Sequence, residues 1–305
     1  MNKSLKCPFC DSIRSVESFL PGTTFNQKHF DYWHCLNCHL VYIHPVPDEA
    51  DLLKMYPTTY QNGIDATILK NPENKLIGLR FSYAYQFKII KEHNITGKFL
   101  DYGCGAANFI LNAKSAKIDF QGAEFNDKHV DVLKKEIPQG KFYTIEELLK
   151  SELKFDLIRI SNVFEHFTQP NKEFENLIAL LKPNGHILVE GPIEMNFNFA
   201  KLFRQMYFQF KKRFIKGYRA SHTPTHIFFT NRKNQTEYFQ KFNLITKHWK
   251  INEAEWPFPP SMQQAKGLVS KLNFLIARLS MLISRFNPNW GNTFIYLGQK
   301  SDHGS

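Results

Sequence analysis

The sequence is short of cysteine, of acidic residues and of long apolar runs. Five cysteines in 305 residues are too few for a disulfide scaffold. Lys plus Arg number 39 against 28 Asp plus Glu, a formal charge of +11. That balance suits acidic partners such as nucleic acid, anionic lipid or phosphorylated ligands. The start, MNKSLKCPFCDS, has no apolar stretch behind its lysines, where a secretory signal needs about 7–15 such residues. No window supplies the roughly 18 uninterrupted apolar residues of a spanning helix. The nearest, LNFLIARLSMLI, is interrupted by Asn273 and Arg278. The expectation is a cytoplasmic chain with no membrane span. A hydrophobic content of 43% with 22% charged residues excludes a mostly disordered chain.

Four of the cysteines form two pairs near the start, CPFC (Cys7, Cys10) and CLNC (Cys35, Cys38). Two residues between cysteines let one tight turn aim both sulfurs at one ion, and two such turns complete a tetrahedral thiolate site. Structural Zn²⁺ is the expected occupant, because thiolates are soft ligands and zinc does not resist tetrahedral geometry. With every position filled by protein, the metal holds the fold and does no chemistry. Disulfides or a redox pair are the alternatives, and neither an export signal nor a βαβ pattern supports them. Short strands are expected between the pairs, with a turn at Pro21-Gly22. We expect a zinc-ribbon-like module over 1–45 and a linker with a short helix over 46–75. The linker includes Tyr56, Tyr60 and the turn Asn62-Gly63. A larger second domain is expected over 76–305, with 193–225 as an insert.

The segment GKFLDYGCGAANFILNAKSAKIDFQGAEFN reads as strand, glycine turn, helix and strand. Gly103 and Gly105 permit a tight bend and a close approach of backbone to ligand. Glu124 ends the second strand, where an acid can accept both hydroxyl protons of a ribose. The dinucleotide pattern G-x-G-x-x-G is incomplete, since Asn108 stands at the third glycine. Asp101, directly before the bend, would repel a pyrophosphate and suits a cation. S-adenosylmethionine carries an ammonium and a sulfonium and no phosphate, so a methyl donor is favoured over NAD.

FLDYGCGAANFI resembles the first motif of the class I S-adenosylmethionine-dependent methyltransferases. FDLIRISNVFEHF resembles their fourth strand with its Glu-His element, and LKPNGHILVEGP their fifth strand. NTFIYLGQK resembles a closing edge strand. The cysteine-rich start resembles the subgroup with an N-terminal zinc module, which includes sugar C-methyltransferases and enzymes of surface-polysaccharide clusters. The resemblance implies an α/β, doubly wound Rossmann-like sheet behind a small zinc module. It also implies that Asp101, Gly103 and Gly105 surround the methionine part of the donor and that Glu124 holds the ribose. Phe125 would flank the adenine, with Asn162 near the reacting centre; Glu146 is a weaker candidate for the adenine amine.

Methyl transfer to oxygen or carbon needs a proton removed, and histidine is the natural base. His166 follows the fourth strand at the carboxyl edge of the sheet and is the first candidate. His226, in SHTPTHIFF, matches a histidine often found there in the family; His222 is its neighbour. Two apolar stripes follow, one through Phe203, Tyr207, Phe210 and Phe214, the other from Leu268 to Phe286. Core packing with solvated lysines is the expected arrangement for both. Peripheral contact with an anionic inner membrane face is the alternative. The expected acceptor is a small molecule, a sugar nucleotide or a glycan- or lipid-linked group. The rivals are RNA methylation, favoured by charge alone, and a non-catalytic binding protein that keeps the fold.

Overall fold

A computed structural model describes residues 5–55, 81–253 and 262–301. Tyr56, Tyr60, the Asn62-Gly63 turn and most of the 46–75 linker lie outside the described residues. The N-terminal region holds β1 (Ser15–Glu17), β2 (Thr23–Phe25), β3 (Lys28–Cys35), β4 (Val41–His44) and α1 (Glu49–Met55). Asn26 and Gln27 join β2 to β3 with φ of 49° and 61°, a two-residue hairpin with both residues left-handed. Pro21-Gly22 precedes β2 and does not form this hairpin.

The larger sheet runs β5 (Phe99–Tyr102), β6 (Phe120–Glu124), β7 (Phe142–Thr144), β8 (Phe155–Ser161), β9 (Leu181–Pro192), β11 (Leu244–Asn252) and β12 (Thr293–Lys300) in chain order. In space the order is β7-β6-β5-β8-β9-β12-β11. Strands β5 to β9 are parallel, and β12 runs antiparallel to both neighbours. This is the doubly wound α/β sheet that the sequence predicts. One detail is corrected: NTFIYLGQK lies between β9 and β11, so β11 is the edge. Burial is the reason, because residues 293–298 are all buried while β11 exposes much of its length.

Among the described residues the further helices are α2 (Tyr83–Glu92), α3 (Asn108–Ser115), α4 (Asp127–Glu136), α5 (Ile145–Lys150), α6 (Pro170–Leu180), α7 (Phe199–Phe214), α8 (Arg232–Lys241) and α9 (Gly267–Phe286). Several begin on side-chain caps that satisfy free backbone N–H groups. Asn126 caps α4, Asn198 caps α7, and Thr144 with Glu147 forms a capping box on α5. The sheet order turns outward on both sides of β5, so a crevice opens at the carboxyl ends of β5 and β8.

The two sheets share one core. Phe228 and Phe229 form β10, which pairs with Tyr42 and Val41 of β4 and closes the N-terminal sheet as β1-β3-β4-β10. The Phe9 ring centre lies 4.0 Å from that of Tyr238, tilted by 30°, and Phe9 packs edge-on to Phe228 at 4.9 Å. Packing therefore runs without a break across residue 45.

The two late stripes correct the expectation of core packing. Phe203, Tyr207, Phe210 and Phe214 of α7 are exposed, as are seven apolar side chains from Leu268 to Phe286 of α9. The buried residues of α9 are Ala277, Ser280 and Ser284. The reason is local: the Trp290 indole donates to Ser280 Oγ at 2.9 Å and fixes the small, polar face inward. By length and composition, α9 is also long and apolar enough to cross a membrane. That corrects the expectation that no segment qualifies.

Candidate active site

β5 leads into the glycine bend at the crevice. Gly103 N and Cys104 N both donate to Ala123 O, at 2.8 and 3.0 Å, which folds the bend back against the end of β6. Gly103 has φ +73°, and a Cβ there would lie 2.4 Å from Val163 Cγ2. Gly105 has φ +50°, and a Cβ there would meet nothing within 4 Å. The bend is therefore closed on its Val163 side and open beside Gly105, a cradle of the kind a donor molecule needs. Ala107 takes φ +57° at the start of α3, the left-handed region that suits glycine better.

Glu124 is buried at the end of β6. Its Oε2 accepts from Gly105 N at 3.0 Å and its Oε1 from Phe125 N at 2.8 Å. His129 Nε2 lies 2.8 Å from Gly105 O. The bend is thus held from both sides. An ionised carboxylate has about four acceptor positions, so two remain for ligand hydroxyls. Phe125 is 56% exposed beside it. Glu146 lies on exposed α5 and pairs with Lys150, which holds its carboxyl below the usual range.

Asp101 is 1% exposed, and its Oδ1 accepts from Arg159 Nη1 at 2.6 Å. The two face each other in register on β5 and β8. Arg159 also donates to Gln86 Oε1 at 2.7 Å, and its guanidinium lies 3.7 Å from the Phe109 ring centre. Burial pushes the Asp101 carboxyl up, and the Arg159 guanidinium opposes it. The cation nearest this carboxylate is thus part of the protein, a partner that sequence reading missed. Asp101 Oδ2 is buried and accepts no hydrogen bond. Asn162 follows β8 at φ +52°. Its backbone N donates to Glu190 O at 2.8 Å and its Nδ2 reaches Glu190 Oε2 at 3.3 Å. Glu190, buried in β9, was also missed.

A second concavity of about 260 Å³ lies where the N-terminal region meets the catalytic domain. Leu20 and Tyr32 line it from one side, and Glu194, Arg204, His222 and His226 from the other. His226 Nδ1 lies 2.9 Å from Glu194 Oε2. Arg204 Nη2 donates to Glu194 O at 3.1 Å, with Nη1 3.5 Å from Glu194 Oε1. Tyr32 Oη and His222 Nε2 are 2.9 Å apart. His166 is just behind, its ring edge-on to His226 at 5.1 Å and its Nδ1 2.8 Å from Thr225 O. Burial lowers the His166 pKa, against the pull of the Glu165 carboxylate. A ligand atom of each of Glu165, His166 and His226 lies within 4.8 Å of the others.

The four N-terminal cysteines converge. Cys7 and Cys38 Sγ are 3.5 Å apart, Cys10 and Cys35 Sγ 3.6 Å, and all four lie within 4.8 Å of one another. Zinc bonds of about 2.3 Å imply tetrahedral edges of about 3.8 Å. Each pair sits on the same turn. Asp11 N donates to Cys7 O and His39 N to Cys35 O, both at 3.0 Å, with Asp11 and His39 left-handed at φ 57° and 60°. Donor chemistry and spacing both fit a structural zinc.

A parallel sheet reversed only at β12, an open glycine cradle and an acid closing the second strand define an S-adenosylmethionine-dependent methyltransferase fold. A family model described as "Methyltransferase domain" matches residues 71–246, more than half of the chain, and the chain belongs to that family. It is 29% identical over 137 residues to a ubiquinone biosynthesis O-methyltransferase of Coxiella burnetii, covering 42% of this chain and 57% of that protein. The chain thus spans a little over half the length of the curated relatives it matches. Among solved structures it is similar to a SAM-dependent methyltransferase from Methanosarcina mazei, at 13% identity and TM-score 0.46 over 69% of this chain and 97% of the other. A second, from Archaeoglobus fulgidus, gives 16% and 0.41 over 72% and 96%.

Proposed function

We propose that the chain methylates a hydroxyl of a small molecule held in the cavity between the N-terminal region and the catalytic domain. A sugar nucleotide, or a glycan- or lipid-linked intermediate, is the acceptor class. The observation that carries this reading is the His226–Glu194 pair lining a cavity that Arg204 also enters. The Coxiella burnetii relative's name specifies an O-methyltransferase, which agrees with a histidine base; Arg204, which lines the cavity beside Glu194, supports an acceptor with an anionic part.

The donor supplies a methyl group on a sulfonium that is already activated, so the chain's task is positional. The open side of the bend at Gly105 admits the donor, Glu124 accepts its ribose hydroxyls, and Phe125 covers its adenine. Asp101 Oδ2 faces the ammonium, with Arg159 fixing the carboxylate. Glu190 orients Asn162 at the reacting end. Glu194 accepts the Nδ1 proton of His226, which fixes the tautomer and leaves Nε2 basic. As the acceptor oxygen gains the methyl group, its proton passes to His226 Nε2. His166 acts as a positioning residue against the His226 ring. Arg204 attracts a diphosphate or other anionic part of the acceptor. Cys7, Cys10, Cys35 and Cys38 hold zinc, which pins the wall that carries Leu20 and Tyr32.

Titration calorimetry with S-adenosylmethionine and its demethylated product tests the donor site; absence of binding to either sinks the reading. Transfer of labelled methyl to small-molecule, lipid and RNA fractions then identifies the acceptor. Label in RNA alone would replace the small-molecule acceptor.

A further inference from the structure

Helix α9 is built the reverse of a helix in a water-exposed shell. It turns Ala277, Ser280 and Ser284 to the protein and its leucines outward. Leu268, Leu272, Leu275, Leu279, Leu282 and Phe286 recur at alternating steps of four and three, which lays them along one line of the helix. Leu268 and Phe286, at its two ends, are 84% and 82% exposed. Lys271, Arg278 and Arg285 stand seven apart, on a line about 80° from that ridge at about 100° per residue. The buried serines lie on the far side of the helix from these cations.

Helix α7 packs beside α9 and repeats the arrangement. Phe199 packs edge-on to Trp290 at 4.9 Å, the residue that also anchors α9. Phe203, Met206, Tyr207, Phe210 and Phe214 face out, and no residue of α7 is fully buried. Five cations lie in α7 and three in α9, and neither helix contains an acid. Three of the five turn away from the aromatic rings, Lys212 to Glu17, Arg204 to Glu194, and the half-buried Lys201 on the same face. Lys211 and Arg213 flank the rings on the outer side; Lys211 Nζ lies 5.5 Å from the Tyr207 ring centre.

We propose that α7 and α9 form one docking face for an anionic lipid surface. Apolar ridges flanked by cations with long stems enter the headgroup boundary while the charges stay among the phosphates. Charge selects lipid over a second copy of the chain, which would bring the same cations and no acid to meet them. The face also adjoins the site: Arg204 and Phe208 of α7 line the cavity that the outward residues back onto. Docking therefore holds the cavity at the bilayer surface, a consequence that rests on the acceptor reading above; the docking itself does not.

The test is flotation of the full chain with phosphatidylcholine vesicles, with and without about one-third phosphatidylglycerol. The expected result is flotation with the anionic vesicles only, weakening as salt rises. Reversing three charges (Lys271→Glu, Arg278→Glu, Arg285→Glu) should weaken partition at least tenfold. Replacing exposed leucines (Leu272→Gln, Leu279→Gln) should do the same while keeping the thermal midpoint, since these side chains leave no cavity. A chain that stays at the bottom of the gradient with anionic vesicles at low salt overturns the proposal. So does flotation that neither variant changes. Self-association that Leu272→Gln abolishes, without flotation, assigns the face to a second copy. Donor titration on the same sample reads the proposed activity separately, so either claim can fail alone.

Discussion

The glycine bend proposed for the donor and the cavity proposed for the acceptor are built in different ways. Most groups placed around the bend, from Asp101 to His129, come from one stretch of β5, α3, β6 and α4; the exceptions are Gln86, Arg159, Asn162, Val163 and Glu190. The cavity draws Leu20 and Tyr32 from one end of the chain and Glu194, Arg204, His222 and His226 from far downstream. The first is a local backbone device. The second exists only while the N-terminal sheet is docked through β10 and Phe9. Damage to that docking should remove the cavity and spare the bend.

Metal removal is the strongest way to break this contrast. Stripping the proposed zinc, or Cys35→Ser, would release a cross-link of a kind that contributes several kcal/mol in structural sites. The thermal midpoint should fall by about 10 °C or more, acceptor turnover should vanish, and donor affinity should stay within about threefold. Elemental analysis should find one zinc per chain. Parallel loss of donor affinity would show that the two sites are not separable. His226→Asn comes next. It should lower kcat by about 10²–10³-fold, with donor affinity unchanged by calorimetry. A proportional rise in acceptor KM with kcat intact would make His226 a binding group and not the base.

Glu124→Gln probes the other side. It removes the charge behind the bonds from Gly105 N and Phe125 N and behind the proposed bonds from the ribose, and should weaken donor binding by about 10–100-fold. Acceptor KM should change little. If acceptor KM shifts as much as donor affinity, the two regions are coupled and the contrast fails.

The same contrast explains what could be read in advance. The cysteine pairs, the glycine bend and the strand ending at Glu124 are contiguous signals, and they fall where spacing put them. Arg159 was readable but passed over. The cation Arg159 in FDLIRIS and the acid Asp101 in FLDY sit among apolar residues of adjacent central strands, and buried charges need partners. Cavity walls were not readable, because nothing local ties Tyr32 to His222. The late stripes misled for a different reason. Periodicity locates an apolar line but not whether it faces protein or solvent, and Trp290 decides that by binding Ser280. The interior position of β12 likewise depends on long-range pairing, which the closing strand's sequence does not encode.

The smallest expected effect is acid sensitivity confined to the acceptor end. Burial lowers the pKa of His166 and of His222 below the ordinary 6.5. Glu165 opposes the shift at His166, while His226 and Arg204 add to it at His222. Both rings are therefore neutral in the folded chain near pH 7. Below about pH 6.5 the unfolded chain takes up these protons first. Stability is then fully present above that pH and is lost as pH falls through the lowered folded values. The thermal midpoint should drift down between pH 7 and 5.5 by less than metal removal produces, and His222→Gln should flatten that drift. Acceptor turnover should decline over the same range before donor affinity does. Donor affinity falling first would place the acid-sensitive element at the glycine bend and reverse the assignment of the softer region.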